Sequence, residues 1–478
     1  MGDPRDRIDD WLSAEVEPLS PPPGTFDRIR QRARRRKTGR AVMSAAGIVV
    51  VIAAAVTVPQ IASTLQSHGS RPGQPVAAGT PPASVRPTIT GKGGGSPNSR
   101  SSTKVTPAGS ALSATGSGNP VPPNFQPTSV TFVGPDIGAV IGQAGTPGHC
   151  ATAYCTSLAG TSDYGTTWYG VSAPLTGAPD GSSGVGQIRF LNTSDGWAFG
   201  PQLWATTDGG ATWTQQDTHG MRVTDLETVG GRAFALFATC TGGGSPFAAH
   251  CTAFSLYTSL AGSGQWRPVP GPVSGLASQA GSTQGASASL VLTGGPTSGT
   301  GYLLAPSGEL LSGPLTGTAW SVASSQEQCL PGTPGPDGQP TGALLAADSA
   351  ELVLVCTSAT DLTTGSQTKS VAESSDNGAT WSAAQPADVT GVATSVAIQG
   401  SLTVVATGTG LYLSTGRGTW HLAQASPAGA AAGEGGFSYV GMTSPADGVA
   451  LPADASLHEV FITTDGGRTW QARPVSQP

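Results

Sequence analysis

Hydrophobic and polar positions change character several times along the 478-residue chain. Near the start, Ile8, Trp11, Leu12, Val16 and Leu19 fall close to helical spacing, before Pro21-Pro22-Pro23 and a basic run. From Ala41 to Val58 no residue is charged, and 18 positions reach about 27 Å at roughly 1.5 Å each, near the hydrocarbon thickness of a bilayer. Between Pro59 and Asn124 the chain is Gly, Ser, Thr, Pro and Ala with a few cations, and no aromatic residue occurs between Phe26 and Phe125. Beyond that point short apolar, β-rich runs recur between turn-forming clusters: 129–142, 188–200, 232–240, 289–295, 350–358, 401–408 and 437–451. They predict strands.

This pattern predicts four segments: a basic tail over 1–40, a transmembrane helix over 41–58, a disordered linker over 59–124 and an all-β domain over 125–478. Arg28, Arg30, Arg32, Arg34, Arg35, Arg36, Lys37 and Arg40 precede the apolar stretch and hold the N-terminus in the cytoplasm by the positive-inside rule. A single-pass plasma-membrane protein with an extracytoplasmic C-terminal domain is expected. A cleaved signal peptide is the rival, with Ile61-Ala62-Ser63 as its cleavage region, but the 40 preceding residues are long for an n-region.

Within the all-β domain one motif recurs four times: TSDYGTTW (161–168), TTDGGATW (206–213), SSDNGATW (374–381) and TTDGGRTW (463–470). Each fits Ser/Thr-x-Asp-x-Gly-x-Thr-Trp. In such a turn the Asp accepts hydrogen bonds from backbone amides, the Gly takes positive φ, and the Trp opens the next strand and covers the hairpin. The residues concerned are Asp163, Gly165 and Trp168; Asp208, Gly210 and Trp213; Asp376, Gly378 and Trp381; Asp465, Gly467 and Trp470.

The motif resembles the Asp box, or BNR repeat, of sialidase-type propellers. The form Phe-x-Asn-x-x-x-Gly-Trp-Ala-x-Gly at Phe190 to Gly200 is similar to repeats of photosystem II assembly-factor propellers. Degenerate copies end at Trp266, Trp320 and Trp420, making seven Trp markers at intervals of 39 to 61 residues. The resemblance implies a seven-bladed β-propeller with the Asp-box residues in structural roles, and spacings of this size suit blades of four short strands.

All six cysteines follow the apolar segment, as expected of an oxidising compartment, and sequence neighbours favour Cys150–Cys155, Cys240–Cys251 and Cys329–Cys356. Residues 1–40 hold 10 of the 23 Lys+Arg, so the remainder has a net charge of −9, which disfavours nucleic acid as a partner.

Catalytic signatures are not met. A sialidase-like site needs an Arg cluster, a Tyr nucleophile activated by Glu, and a separate acid, whereas the domain holds seven Arg, two of them (Arg417 and Arg468) in outer turns. No Gly-x-Ser-x-Gly, His-Glu-x-x-His or phosphate-binding loop occurs, so no catalytic residue, metal site or cofactor is expected. His149 and His250 sit beside cysteines better read as disulfides. Trp197 and Trp204, outside the marker set, could stack on a sugar ring but are better read as blade core.

Longer connections at 174–184, 241–250, 270–286, 324–342, 359–368 and 424–436 fall on the face opposite the Asp boxes. Variable loops on a rigid scaffold carry recognition. The expected function is therefore non-enzymatic binding of a protein or cell-wall glycan on that face, with an exo-glycosidase as the alternative.

Overall fold

The apolar runs pair into seven antiparallel sheets, each contiguous in sequence. Blade 1 comprises β1 (Gln126–Phe132), β2 (Gly138–Gln143), β3 (Thr156–Thr161) and β4 (Tyr169–Val171); blade 2, β5 (Gln187–Phe190), β6 (Gly196–Phe199), β7 (Leu203–Thr206) and β8 (Thr214–Gln215). Blade 3 holds β9 (Arg222–Val229), β10 (Arg232–Thr241), β11 (His250–Leu260) and β12 (Arg267–Pro268), with β13 (Leu276–Ala277) returning onto β11. Blade 4 is β14 (Ser289–Thr293), β15 (Thr300–Leu304), β16 (Leu310–Pro314) and β17 (Ser321–Val322); blade 5, β18 (Gly342–Asp348), β19 (Glu351–Thr357), β20 (Lys369–Ser374) and β21 (Gln385–Pro386). Blade 6 is β22 (Ala393–Gln399), β23 (Leu402–Thr407), β24 (Gly410–Ser414) and β25 (His421–Ala425); blade 7, β26 (Phe437–Met442), β27 (Gly448–Pro452), β28 (Glu459–Thr463) and β29 (Gln471–Pro474).

This computed structural model describes residues 111–476, apart from 117, 145–155, 178–183, 242–249, 272, 275, 278–287, 295–298, 306–308, 316–319, 324–341, 350, 359–366, 417 and 432. The basic tail, the apolar stretch 41–58, Cys150, Cys155, Cys329 and His149 lie outside the described residues. Among the described residues no helix is long and apolar enough to cross a membrane, and no α-helix occurs.

From blade 1 through blade 7 the first strands of successive blades pack against one another, and at the closing seam β1 packs against β27 and β28 of blade 7, while the short fourth strands lie at the far edge of each sheet. Apolar side chains fill the seams. Seven buried clusters each combine two neighbouring blades, and one of them joins Val130 and Phe132 of blade 1 to Tyr439, Val449 and Val460 of blade 7. Among the described residues the ring therefore closes by packing, with no strand exchanged between its ends. Two polar bonds reinforce this seam: the Phe125 amide donates to Ser476 Oγ at 3.1 Å, and His458 Nδ1 lies 2.9 Å from the Phe125 carbonyl oxygen.

Part of the stretch read as linker is packed on the propeller. The Leu112 amide donates to the Gly209 carbonyl at 2.6 Å and its side chain joins the seam of blades 1 and 2. The Ser113 amide donates to the Tyr169 hydroxyl, which itself donates to the Ser113 carbonyl, both at 2.8 Å. Asn119 bridges to Gly170 on β4.

Candidate functional site

All seven Trp markers lie between the third and fourth strands of their blade, six of them immediately before the fourth strand and Trp381 four residues before β21. In the first, Thr161 Oγ1 donates to Asp163 Oδ1 at 3.0 Å and accepts from the Gly165 amide at 2.9 Å. Asp163 then accepts from the Thr167 amide at 2.8 Å and the Thr167 hydroxyl at 2.6 Å. Asp208, Asp376 and Asp465 repeat the arrangement with Thr212, Thr380 and Thr469. Gly165, Gly210, Gly378 and Gly467 have φ between 70° and 88°, and the residue before each is also left-handed, even where it is Tyr164 or Asn377.

Burial works to raise the carboxyls of Asp163, Asp208 and Asp465, but hydrogen bonds from the flanking threonines bring them below the ordinary value; at exposed Asp376 the Thr380 hydroxyl leads the lowering. Each carboxylate thus binds its own turn. The Trp381 and Trp470 indoles donate to the Gly378 and Gly467 carbonyls, Trp213 donates to the Ser172 carbonyl, and Trp168 packs against the seam of blades 7 and 1.

The centre has its own repeat. Thr128, Thr224, Thr394 and Ser438 are bulged out of register in the first strands of blades 1, 3, 6 and 7, and their hydroxyls donate to second-strand carbonyls. At the next residue, Ser129, Asp225 and Ser395 each accept a backbone amide from the first strand of the following blade: Ile188 at 3.3 Å, Leu290 at 3.0 Å and Val440 at 2.9 Å. Tyr439 is the counterpart in blade 7. Two residues further along, Thr131 accepts the Phe190 amide at 3.3 Å, and the matching positions in blades 2 and 3 are Arg189 and Glu227.

Arg189 and Glu227 form a two-pronged ion pair, Nε to Oε2 at 3.2 Å and Nη2 to Oε1 at 3.1 Å, with side chains 0% and 1% exposed. Arg189 Nη1 also donates to the Ile188 carbonyl at 2.7 Å. Burial pushes the Asp225 carboxyl up to about 7, opposed by the Leu290 amide, Arg189 and the Leu226 amide. Burial also raises the Tyr439 phenol, with Arg189 pulling it down and Glu227 pushing it up. The Tyr439 hydroxyl is buried and has no hydrogen-bond partner among the described residues.

Sequence reasoning missed this Tyr, Glu and Arg grouping. Its one signal is a charge inside an otherwise apolar strand, Arg189 between Ile188 and Phe190. The three residue types are those of a sialidase-like nucleophile, but here they are sealed, and the guanidinium is already engaged by a carboxylate. Trp197 and Trp204 are 3% and 1% exposed, so neither offers a ring face.

On the face opposite the 3–4 turns, three devices brace the roots of the connections. Cys240 and Cys251 face each other across β10 and β11 and are disulfide-bonded. Cys356 is also disulfide-bonded, to a partner outside the described residues; Cys150, Cys155 and Cys329, expected in the other two pairings, lie there as well. The Lys369 ammonium donates to the carbonyls of Gln367, Val389 and Gly391, tying a 2–3 connection to the 4–1 connection after blade 5, and burial lowers it to about 8. β13 folds the connection after blade 3 back onto β11.

No family model and no curated protein matches the sequence. Among solved structures the chain is similar to YCF48 bound to a D1 peptide, at 16% identity and a TM-score of 0.44, covering 77% of this chain and 98% of that one. It is likewise similar to an ancestral GH74 enzyme, at 12% identity and a TM-score of 0.44 over 77% of this chain and 48% of that one. An α-L-arabinanase of Penicillium chrysogenum complexed with arabinobiose is similar at 14% identity and a TM-score of 0.33, over 76% and 98% of the two chains.

Proposed function

We propose that the chain is a membrane-anchored, extracytoplasmic propeller of the Asp-box type that binds a protein or a cell-wall glycan without transforming it. The observation that carries this reading is the state of the centre. Arg189, Glu227 and Tyr439 are all but inaccessible, and the guanidinium that would hold a substrate carboxylate is committed to Glu227 and the Ile188 carbonyl. A buried ion pair of this geometry stabilises its own partners and leaves no charge for a ligand.

Recognition then belongs to the face carrying the long connections, whose roots are braced by Cys240–Cys251, Lys369 and β13. A rigid base beneath variable loops limits the ordering cost of binding. In this reading the apolar stretch 41–58 anchors the protein, with the N-terminus cytoplasmic, and the segment after it spaces the propeller from the bilayer.

The exo-glycosidase alternative draws on the proximity of Tyr439 to Arg189 and Glu227, and requires the centre to open. Shortening 242–249 and 359–366 together tests the binding reading. Loss of capture of cell-envelope material supports it; undiminished capture opposes it. Protease treatment of intact cells tests orientation, because an extracytoplasmic propeller is released while the tail before residue 41 stays protected.

A further inference from the structure

One segment outside the blades is fastened to them. Residues 112–116 and 118–121 cross the far edge of blade 1, from the seam with blade 2, where the Leu112 side chain is buried, to the seam with blade 7, where Val121 packs. On the way the Leu112 amide donates to the Gly209 carbonyl, Ser113 exchanges two bonds with the Tyr169 hydroxyl, and the Asn119 carbonyl accepts the Gly170 amide at 2.5 Å. β4 is the last strand of its sheet, so this bridge covers an edge, and among the described residues no other fourth strand carries an isolated bridge of this kind. The approach is close. A Cβ at Gly118 would lie 2.6 Å from Tyr169 Cδ2 and 2.8 Å from the Gly170 carbonyl oxygen, and one at Gly170 would lie 2.8 Å from the Pro120 carbonyl oxygen. Neither glycine has positive φ, so the fit between segment and strand, and not backbone strain, is what requires them.

We propose that this segment is a releasable strap, which leaves blade 1 as a unit while the propeller stays folded, uncovers the β4 edge and adds a stretch of up to about 35 Å to the chain before β1. Its hold is slight beside that of the strand that follows. Leu112 is the strap's one buried side chain among the described residues, whereas Ala114, Thr115, Gly118, Asn119 and Pro120 are exposed. Beyond it Phe125 is fully buried, and β1 pairs with β2 from Gln126 to Phe132. A segment with few buried apolar contacts opens at a lower free energy than the core it lies on. A pull from the N-terminal side reaches the Leu112 contacts before it reaches β1, so the strap yields first. Once bare, the edge presents the Gly170 amide beside the apolar seam that Leu112 closes. An uncovered edge is a template for pairing with another chain, so the docked strap also guards blade 1.

Hydrogen exchange of the full chain in detergent micelles, resolved to single amides, tests this. In the parent the amides of Leu112, Ser113 and Gly170 share one protection factor, at least about tenfold below that of the Val140 amide in β2. Gly118→Ala meets blade 1 only while the strap is docked, and it lowers the shared protection about tenfold further with Val140 unchanged. Tyr169→Phe, which removes both bonds to Ser113 and keeps the ring in the seam, acts in the same direction. The proposal is overturned if the three amides are as protected as Val140 or open independently of one another. It is also overturned if either substitution leaves their protection unchanged, or lowers that of Val140 equally.

Discussion

Arg189 and Glu227 occupy matching positions in the first strands of blades 2 and 3 and meet in a buried, two-pronged ion pair at 3.1 and 3.2 Å. With Tyr439 and Asp225 they fill the middle of the ring with polar groups, where most propeller seams here are apolar. Removing one partner strands the other charge in a medium of low polarizability. Glu227→Gln is therefore expected to destabilise the propeller by about 3–5 kcal/mol, and the joint replacement Arg189→Met with Glu227→Leu by much less. Urea denaturation of the three proteins decides it, since equal losses in single and joint variants would deny the coupling.

Asp225 gives a pH dependence of known sign. Its carboxyl is at about 7 in the folded protein against 3.8 ordinarily, so between those values the folded state keeps a proton that the unfolded chain has released. Its contribution to stability consequently falls as pH rises from 3.8 to about 7 and is level above that. Relative to Asp225→Asn, the parent should lose stability across this window at no more than about 1.4 kcal/mol per pH unit. Parallel stability curves for the two proteins would contradict the assignment.

The four turn carboxylates act in the opposite direction. Their folded values lie below 3.8, so the stability they contribute is complete above 3.8 and is lost as pH falls through the folded values. Asp208→Ala removes acceptors for the Thr212 amide and hydroxyl at an expected cost of about 1 kcal/mol, more than for a nearby surface change such as Gln215→Ala. Thermal melts at pH 7 compare them directly.

Much of the fold is legible in the chain itself, because Asp, Gly and Trp at fixed spacing report a turn that carries its own hydrogen bonds. The seven Trp markers locate every 3–4 turn, including the three without Asp. Strands β9, β18 and β22 do not stand out. RVTDLETV carries Asp225 and Glu227, and its burial is possible only because those charges find partners in other blades. GALLAAD and ATSVAIQ are rich in small residues whose apolar content is low. The central grouping joins positions 38 residues apart and a Tyr from the last blade, contacts that depend on ring closure.

Ring closure rests on packing at the seam of blades 7 and 1, where Phe125 is fully buried. Phe125→Ala should cost about 3–5 kcal/mol, and Ser476→Ala about 1 kcal/mol through loss of the bond to the Phe125 amide. Hydrogen exchange would locate the loss, with amides of blades 1 and 7 released ahead of those in blade 4. Uniform release around the ring would contradict closure by packing at that seam.

The sealed centre is most directly examined by incubating the full chain with fluorogenic sialosides and cell-wall fragments, following both retention and product release. A binding propeller retains a ligand and releases no product, and Tyr439→Phe changes neither result. Turnover that Tyr439→Phe abolishes while the melting temperature holds would make the centre a catalytic site and overturn the non-enzymatic reading.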